Sequence, residues 1–207
     1  MPVSAQEHPV GTTKHPQAVA AATVRGVRRR QALMAVAATL CSGGAFGNAA
    51  PPEVLSLLPA AVFSGSTRFT YWGFSIYDAS LWVLTGFQAQ AFEQHPFALH
   101  LRYLRNFTNA AITERSIDEM ARQSSTTGER RAAWQQWLRG AFPDVRTGDR
   151  ITGINRPGQG AVFLTNGRQT GLVPDPTFAR LFFGIWLASD TSEPAMRQAL
   201  LSSQAGS

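Results

Sequence analysis

Residues 63–83 read FSGSTRFTYWGFSIYDASLWV and set the fold class of this chain. Aromatic and β-branched residues dominate the stretch, and these residue types favour β-strands. Gly73 lies at its centre, where a glycine permits a tight bend. The pattern therefore predicts one or two strands with a bend near Gly73. A further strand is predicted over residues 97–107, where Leu99, Leu101 and Tyr103 share one face.

Beyond this strand the hydrophobic period changes twice. Apolar residues at helical spacing predict a helix from Thr113 and another over residues 129–142. A period of two then predicts three short strands, and Asn166-Gly167 is a typical two-residue hairpin turn. A helix capped by Asp175 follows, and a last helix ends the pattern. The three strands are predicted over residues 150–155, 161–165 and 169–173, and the last helix over residues 193–201.

Strands and helices are largely segregated along the chain, which indicates the α+β class. We expect an open-faced β-sandwich, in which an antiparallel sheet is covered by a helical layer, plus a small three-stranded meander. Residues 50–207 are expected to form this single domain.

Residues 1–49 have a different composition, which predicts a disordered tail and a cleaved export signal. A basic cluster at residues 25–30 precedes an apolar run at residues 32–40, and small residues follow. This order is typical of a secretory signal, with cleavage predicted after Ala49. The apolar run is too short for a membrane span, so we expect no stable membrane insertion after cleavage. The protein is therefore predicted to be periplasmic or secreted.

Three questions about this leader stay open. Arg29-Arg30 followed by Gln31 and apolar residues fits a twin-arginine signal as well as a general secretory one. Cys41 permits a lipid anchor, although Leu40 before it is larger than such signals prefer. A disordered tail on a cytoplasmic protein is the remaining alternative.

The net charge of +6 comes mainly from the leader, because five basic residues lie within residues 1–30. The rest of the chain carries 14 arginines against 12 acidic residues, a net charge of +2. These charges are dispersed and mixed in sign, so we expect no nucleic-acid partner. The single cysteine excludes an internal disulfide.

Catalytic and cofactor motifs are missing from this sequence. There is no phosphate-binding loop, no G-x-S-x-G, no H-E-x-x-H and no Cys/His cluster. His95 and His100 are the only histidines beyond the leader, and their spacing does not suggest a metal site. We expect no metal and no cofactor.

Arginines within predicted strands are the notable chemical feature. Arg68 and Thr70 lie two residues apart on one strand, and Arg102 lies beside Tyr103 on another. An arginine facing inward must be paired, because a buried unpaired charge is costly. The partner is either a protein acid or an anionic ligand such as a carboxylate. A solvent-facing position is the third alternative.

Several stretches of the sequence resemble those of bacterial chalcone-isomerase-like proteins. Together they span about residues 60–202. They are Gly65-x-x-Arg68 with GFSIYDA at residues 73–79, LHLRYLR at 99–105, FPDVRTGDR at 142–150 and FARLFFGIWL at 178–187.

The resemblance implies a pocket between the sheet and the helices. Plant enzymes of this type close a flavanone ring in that pocket, and related plastid proteins bind fatty acids there. Arg68 matches the arginine that positions the reacting oxygens in the enzymes. Thr70 matches their threonine only if a shorter spacing reflects a loop deletion. The catalytic tyrosine and asparagine have no match, and an incomplete catalytic set favours binding over isomerisation.

The first hypothesis is a non-catalytic, monomeric binder of a small apolar or amphipathic (carboxylate-bearing) molecule that is fatty-acid-like or aromatic. Its predicted ligand-binding residues are Arg68, Thr70, Tyr77, Arg102 and Tyr103. The first alternative is an intramolecular lyase or isomerase of the chalcone isomerase type acting on an enone, with Arg68 and Thr70 as catalytic candidates. The second is a structural or assembly protein whose pocket has collapsed around aromatic side chains.

Overall fold

The computed structural model describes residues 49–204, so the leader predicted over residues 1–49 lies outside the described residues except for Ala49. The strands are β1 (Val62–Tyr71), β2 (Phe74–Val83), β3 (Phe97–Tyr103), β4 (Arg150–Arg156), β5 (Gly160–Thr165) and β6 (Arg168–Val173). The helices are α1 (Pro52–Leu57), α2 (Asn109–Gln123), α3 (Gly128–Ala141), α4 (Pro176–Leu187) and α5 (Pro194–Leu200). Short 3-10 helices cover Ala89–Gln94 and Ser202–Gln204.

The six strands form one antiparallel sheet in the order of the chain. The predicted meander is its second half, because β3 pairs with β4 from Phe97↔Asn155 to Arg102↔Arg150. The meander therefore extends the main sheet and is not a separate piece. The α+β class and the helical cover of the sheet are confirmed.

The sheet has two faces of different character. The main core lies between one face and helices α2 to α5, with Leu81, Leu99 and Phe183 among its fully buried side chains. On the other face, α1 covers a smaller cluster that includes Val54 and Trp82. Helix α1 was not predicted, because six residues are too few to show a helical period.

Side-chain caps determine where the longer helices begin. Thr108 accepts a hydrogen bond from the backbone N–H of Ala111, so α2 begins at Asn109 and not at the predicted Thr113. Thr127 caps α3 in the same way. Asp175 caps α4 as predicted, accepting from the N–H groups of Thr177 and Phe178. Within residues 49–204, no helix has the length and apolar character needed to cross a membrane.

Gly65 lets α5 lie directly against β1. A Cβ atom at this position would stand 2.1 Å from the backbone oxygen of Ala199. The neighbouring Ser64 donates its hydroxyl to the carbonyl of Leu200 over 2.9 Å. The Gly65-x-x-Arg68 motif thus begins with a packing requirement, since only glycine allows this close approach.

Candidate functional site

A cavity of about 240 Å³ lies between the sheet and the helical layer. Strands β1 to β4 form its floor, and α2, α4 and α5 contribute to its walls. Apolar side chains dominate its lining, as is usual for small-molecule sites. Its aromatic and aliphatic walls include Phe69, Ile76, Leu101, Phe107, Phe142 and Phe182.

Two tyrosines supply the hydroxyl groups on the floor of this cavity. Tyr77 on β2 is the cross-strand partner of Tyr103 on β3. The Tyr77 hydroxyl accepts a hydrogen bond of 3.1 Å from Nε1 of Trp186, and its own proton has no acceptor among the described residues. The Tyr103 side chain is only 5% exposed, and none of the hydrogen bonds found within residues 49–204 involves its hydroxyl. Both phenols therefore retain a proton to donate to a bound molecule.

Burial controls the ionisation of both phenols. It raises the pKa of Tyr77 well above its ordinary value, and the hydrogen bond from Trp186 offsets this only in part. Burial also raises the pKa of Tyr103, with a further contribution from Tyr77. Both groups stay protonated at neutral pH. They can donate hydrogen bonds, but they cannot serve as phenolate bases.

A polar rim completes the lining of the cavity. Nη2 of Arg115 lies 2.7 Å from Oε1 of Glu119 one helical turn away. The other carboxylate oxygen of Glu119 accepts a hydrogen bond of 2.9 Å from the Ser192 hydroxyl. Arg115 is about half exposed, so its guanidinium links the cavity to solvent. Glu193 also lines this region.

The structure separates the five predicted ligand-binding residues. Tyr77 and Tyr103 line the cavity between sheet and helices. Arg68 and Arg102 are in register with Asp78, and both guanidiniums bind this carboxylate over 2.7 Å. Thr70 is exposed and pairs with Ser75 beyond a β-bulge.

The predicted convergence of Arg68 with the tyrosines in one pocket is therefore wrong, for a simple geometric reason. Successive side chains of a strand point to opposite faces. Arg102 is adjacent to Tyr103, and Asp78 is adjacent to Tyr77, so the ion-paired cluster lies on the far face of the sheet. The sequence left three alternatives open for Arg68: a protein acid, an anionic ligand or solvent. In the structure its guanidinium pairs with a protein acid, Asp78. Contact of any of these residues with a ligand stays a prediction.

A larger cleft of about 470 Å³ lies on that far face. Its lining includes Arg68, Asp78, Arg102, His100 and Trp82. Despite its size it is the weaker candidate, because its aspartate is already shared by two arginines. Burial alone would raise the pKa of Asp78, but the two guanidiniums outweigh it and hold the pKa below its ordinary 3.8. The charges of this cluster are paired with one another, whereas the two neutral tyrosine hydroxyls keep protons available for hydrogen bonding.

Among residues 49–204 there is no group of three or more histidine, cysteine or acidic side chains placed to hold a metal ion. The donors in the smaller cavity are hydroxyls, one indole and one ion pair. This set suits hydrogen bonding to an organic molecule.

Sequence reasoning missed the contribution of α2. Arg115, Ser116 and Glu119 all line the cavity and lie within the helix predicted from Thr113, but no local pattern showed that this polar side of the helix faces the sheet. Ala111 and Ile112 also line the cavity and precede the predicted start, and the available signal for them was Thr108, a good cap before a run of helix-forming residues. Trp186 lies in the helix predicted after Asp175, and its hydrogen bond to Tyr77 joins residues 109 positions apart in the sequence, which no local pattern shows.

The fold and this site define an open-faced sandwich with an apolar, hydroxyl-bearing pocket under its helices. The family model described as chalcone isomerase-like matches residues 64–202, and the chain belongs to this family. The family includes both isomerases and non-enzymatic binders. A search of curated proteins found no match.

Among solved structures, the chain is similar to the crystal structure of a fatty-acid binding protein from Arabidopsis thaliana. The TM-score is 0.55 at 12% identity, and the match covers 70% of this chain and 89% of the other. This likeness confirms the chalcone isomerase fold.

Proposed function

We propose that this protein is a non-catalytic binder of a short or medium-length fatty acid, held in the cavity between the sheet and the helices. The observation that carries the proposal is the pair of buried hydroxyls, Tyr77 and Tyr103, each with an unused proton in an apolar cavity. A carboxylate accepts two such hydrogen bonds through its two oxygens.

The size of the cavity supports a ligand of limited length. Its 240 Å³ lies below the roughly 300 Å³ at which common small-molecule pockets begin. A long acyl chain exceeds this volume unless the helices move apart. Burial of the alkyl chain against phenylalanine side chains supplies the apolar part of the binding free energy.

Arg115 supports an acidic head group in the same cavity. Its guanidinium pairs with Glu119 at the rim, so this carboxylate is compensated, while Glu193 adds one further negative charge to the lining. The similarity of the fold to a fatty-acid binding protein is consistent with this ligand class. The leader pattern of residues 25–50 supports export, so we place this binding activity outside the cytoplasm.

Isomerase activity on an enone is the alternative hypothesis from the sequence. It assigned catalysis to Arg68 and Thr70, and neither lines this cavity. The two phenols are donors for an enone oxygen, but Arg68, to which the sequence assigned the main catalytic role, lines the cleft on the other face of the sheet. Binding is therefore the better supported proposal.

The test is calorimetric titration of the full-length protein with octanoate, methyl octanoate and palmitate. We expect one octanoate per chain, weaker binding of the methyl ester and weaker binding of palmitate. Absence of octanoate binding would overturn the proposal. Equal affinity for methyl octanoate would mean that the carboxylate does not contribute to binding. Conversion of a hydroxychalcone above the background rate would support the isomerase alternative.

A further inference from the structure

We propose that the tip of the β1–β2 hairpin docks on the surface of an anionic phospholipid bilayer. The tip consists of Tyr71, Trp72, Gly73 and Phe74. The three aromatic side chains are 50%, 84% and 57% exposed. They lie together at the end of one hairpin and protrude at a tight turn.

The backbone at this tip is unfavourable for tryptophan. Trp72 has φ +51° and Gly73 has φ +77°, which are the left-handed values of a two-residue hairpin turn. Bulky side chains rarely adopt such angles, whereas asparagine and glycine do so readily. The β5–β6 hairpin shows the expected solution, because Asn166 and Gly167 have φ +49° and +81°. At the equivalent position of the β1–β2 hairpin, Trp72 therefore stabilises the turn less than asparagine would.

Two arginines complement these aromatic rings. The guanidinium carbon of Arg105 lies 4.4 Å from the ring centroid of Phe74. That of Arg115 lies 5.8 Å from the ring centroid of Tyr71. Within residues 49–204, Arg105 has no ion pair with an acidic side chain. Aromatic residues flanked by arginine match the interface of an anionic bilayer, where the rings enter the headgroup region and the cations meet phosphates.

A membrane fits this surface better than a protein partner. A stable protein interface buries about 800 Å² on each partner, which a protruding two-residue turn does not offer. A bilayer needs only shallow burial of a few amphipathic side chains. The tip also adjoins the cavity, since Tyr71 contacts the ring of Phe69 and the guanidinium of Arg115, and both of these residues line it. Docking places the cavity rim beside the lipid.

The test uses the full-length protein and vesicles of brominated phosphatidylglycerol, whose bromines quench only nearby tryptophans. Trp82, Trp134 and Trp186 are buried and Trp137 is partly buried against the core, so Trp72 is the one exposed tryptophan in the described part of the chain. We expect quenching of the wild type and loss of roughly half of it or more in Trp72→Phe. Arg105→Gln should reduce the quenching, and brominated phosphatidylcholine should quench less. Leu172→Asn removes an exposed apolar residue of β6 and should change nothing.

Trp72→Asn separates docking from folding. Because asparagine suits the turn, this variant should unfold at the same temperature as the wild type or at a higher one. A clearly lower unfolding temperature of Trp72→Asn would mean that Trp72 stabilises the folded protein. Equal quenching of the wild type and Trp72→Phe would overturn the proposal, even if the basic leader holds both on the vesicles. So would a wild-type dimer that Trp72→Asn dissociates. Octanoate binding is a separate measurement, so failure of one proposal leaves the other testable.

Discussion

The rings of Tyr77 and Tyr103 meet across β2 and β3 with centroids 6.0 Å apart and an interplanar angle of 67°. Nε1 of Trp186 donates a hydrogen bond to the Tyr77 hydroxyl, while no hydrogen bond to the Tyr103 hydroxyl is found in the described part of the chain. The Tyr77 hydroxyl is thus held in one orientation by Trp186, whereas no neighbouring group among the described residues orients the Tyr103 hydroxyl. This difference makes their roles separable by mutation.

Tyr103→Phe should weaken octanoate binding about tenfold or more, because a hydrogen bond to a charged group is lost. The free energy of unfolding should stay within about 0.5 kcal/mol of the wild type, since the hydroxyl has no partner to lose. Calorimetry and urea unfolding measure the two quantities. Tyr71→Phe is the matched control, because Tyr71 lies outside the cavity lining. A destabilised Tyr103→Phe protein with unchanged affinity would contradict the assignment.

Ala111→Trp should close the cavity and reduce octanoate affinity by about tenfold or more, because a bulky ring then occupies ligand volume. Ala111 lines the cavity from the first turn of α2. Ala110→Trp is the matched control, since Ala110 is exposed in the same turn and does not line it. Both variants carry the same change in helix propensity. Equal loss of binding in the two would place the ligand elsewhere.

The sheet and its helices were largely predictable, and the site only in part. Alternation along β3 correctly placed Tyr103 and His100 on opposite faces of the sheet, since strand residues an odd number of positions apart face opposite ways. It could not say which face the helices cover, because that depends on distant contacts such as those of α4. The pairing of Arg68 with Asp78 needs the hairpin register, which a β-bulge shifts near Thr70. The cavity itself is the space that side chains from several elements leave unfilled, and no local pattern encodes it.

Gly65→Ala should lower the free energy of unfolding by several kcal/mol, about 3 on the scale of severe overpacking. The added Cβ would meet the backbone oxygens of Ala199 and Leu200, which cannot move without displacing α5. Gly140→Ala is the matched control, because nothing lies within 4 Å of its Cβ position. That substitution in a helix should stabilise the protein by up to about 1 kcal/mol. Urea unfolding of both variants checks the sign, and a neutral Gly65→Ala would contradict the packing of α5 on β1.

Asp78→Asn should lower the free energy of unfolding by about 1 kcal/mol at neutral pH, because the carboxylate binds two guanidiniums in a partly exposed position. The pKa of Asp78 is held below its ordinary 3.8 despite partial burial. A carboxyl with a lowered folded-state pKa stabilises the protein above its unfolded-state pKa, and this contribution is lost as the pH falls through the folded-state value. The difference between wild type and Asp78→Asn should therefore shrink as the pH falls below 3.8. Asp118→Asn breaks the more exposed pair with Arg131 and should cost less than about 0.5 kcal/mol. A pH-independent difference for Asp78→Asn would mean that its packing, and not its charge, stabilises the far face of the sheet.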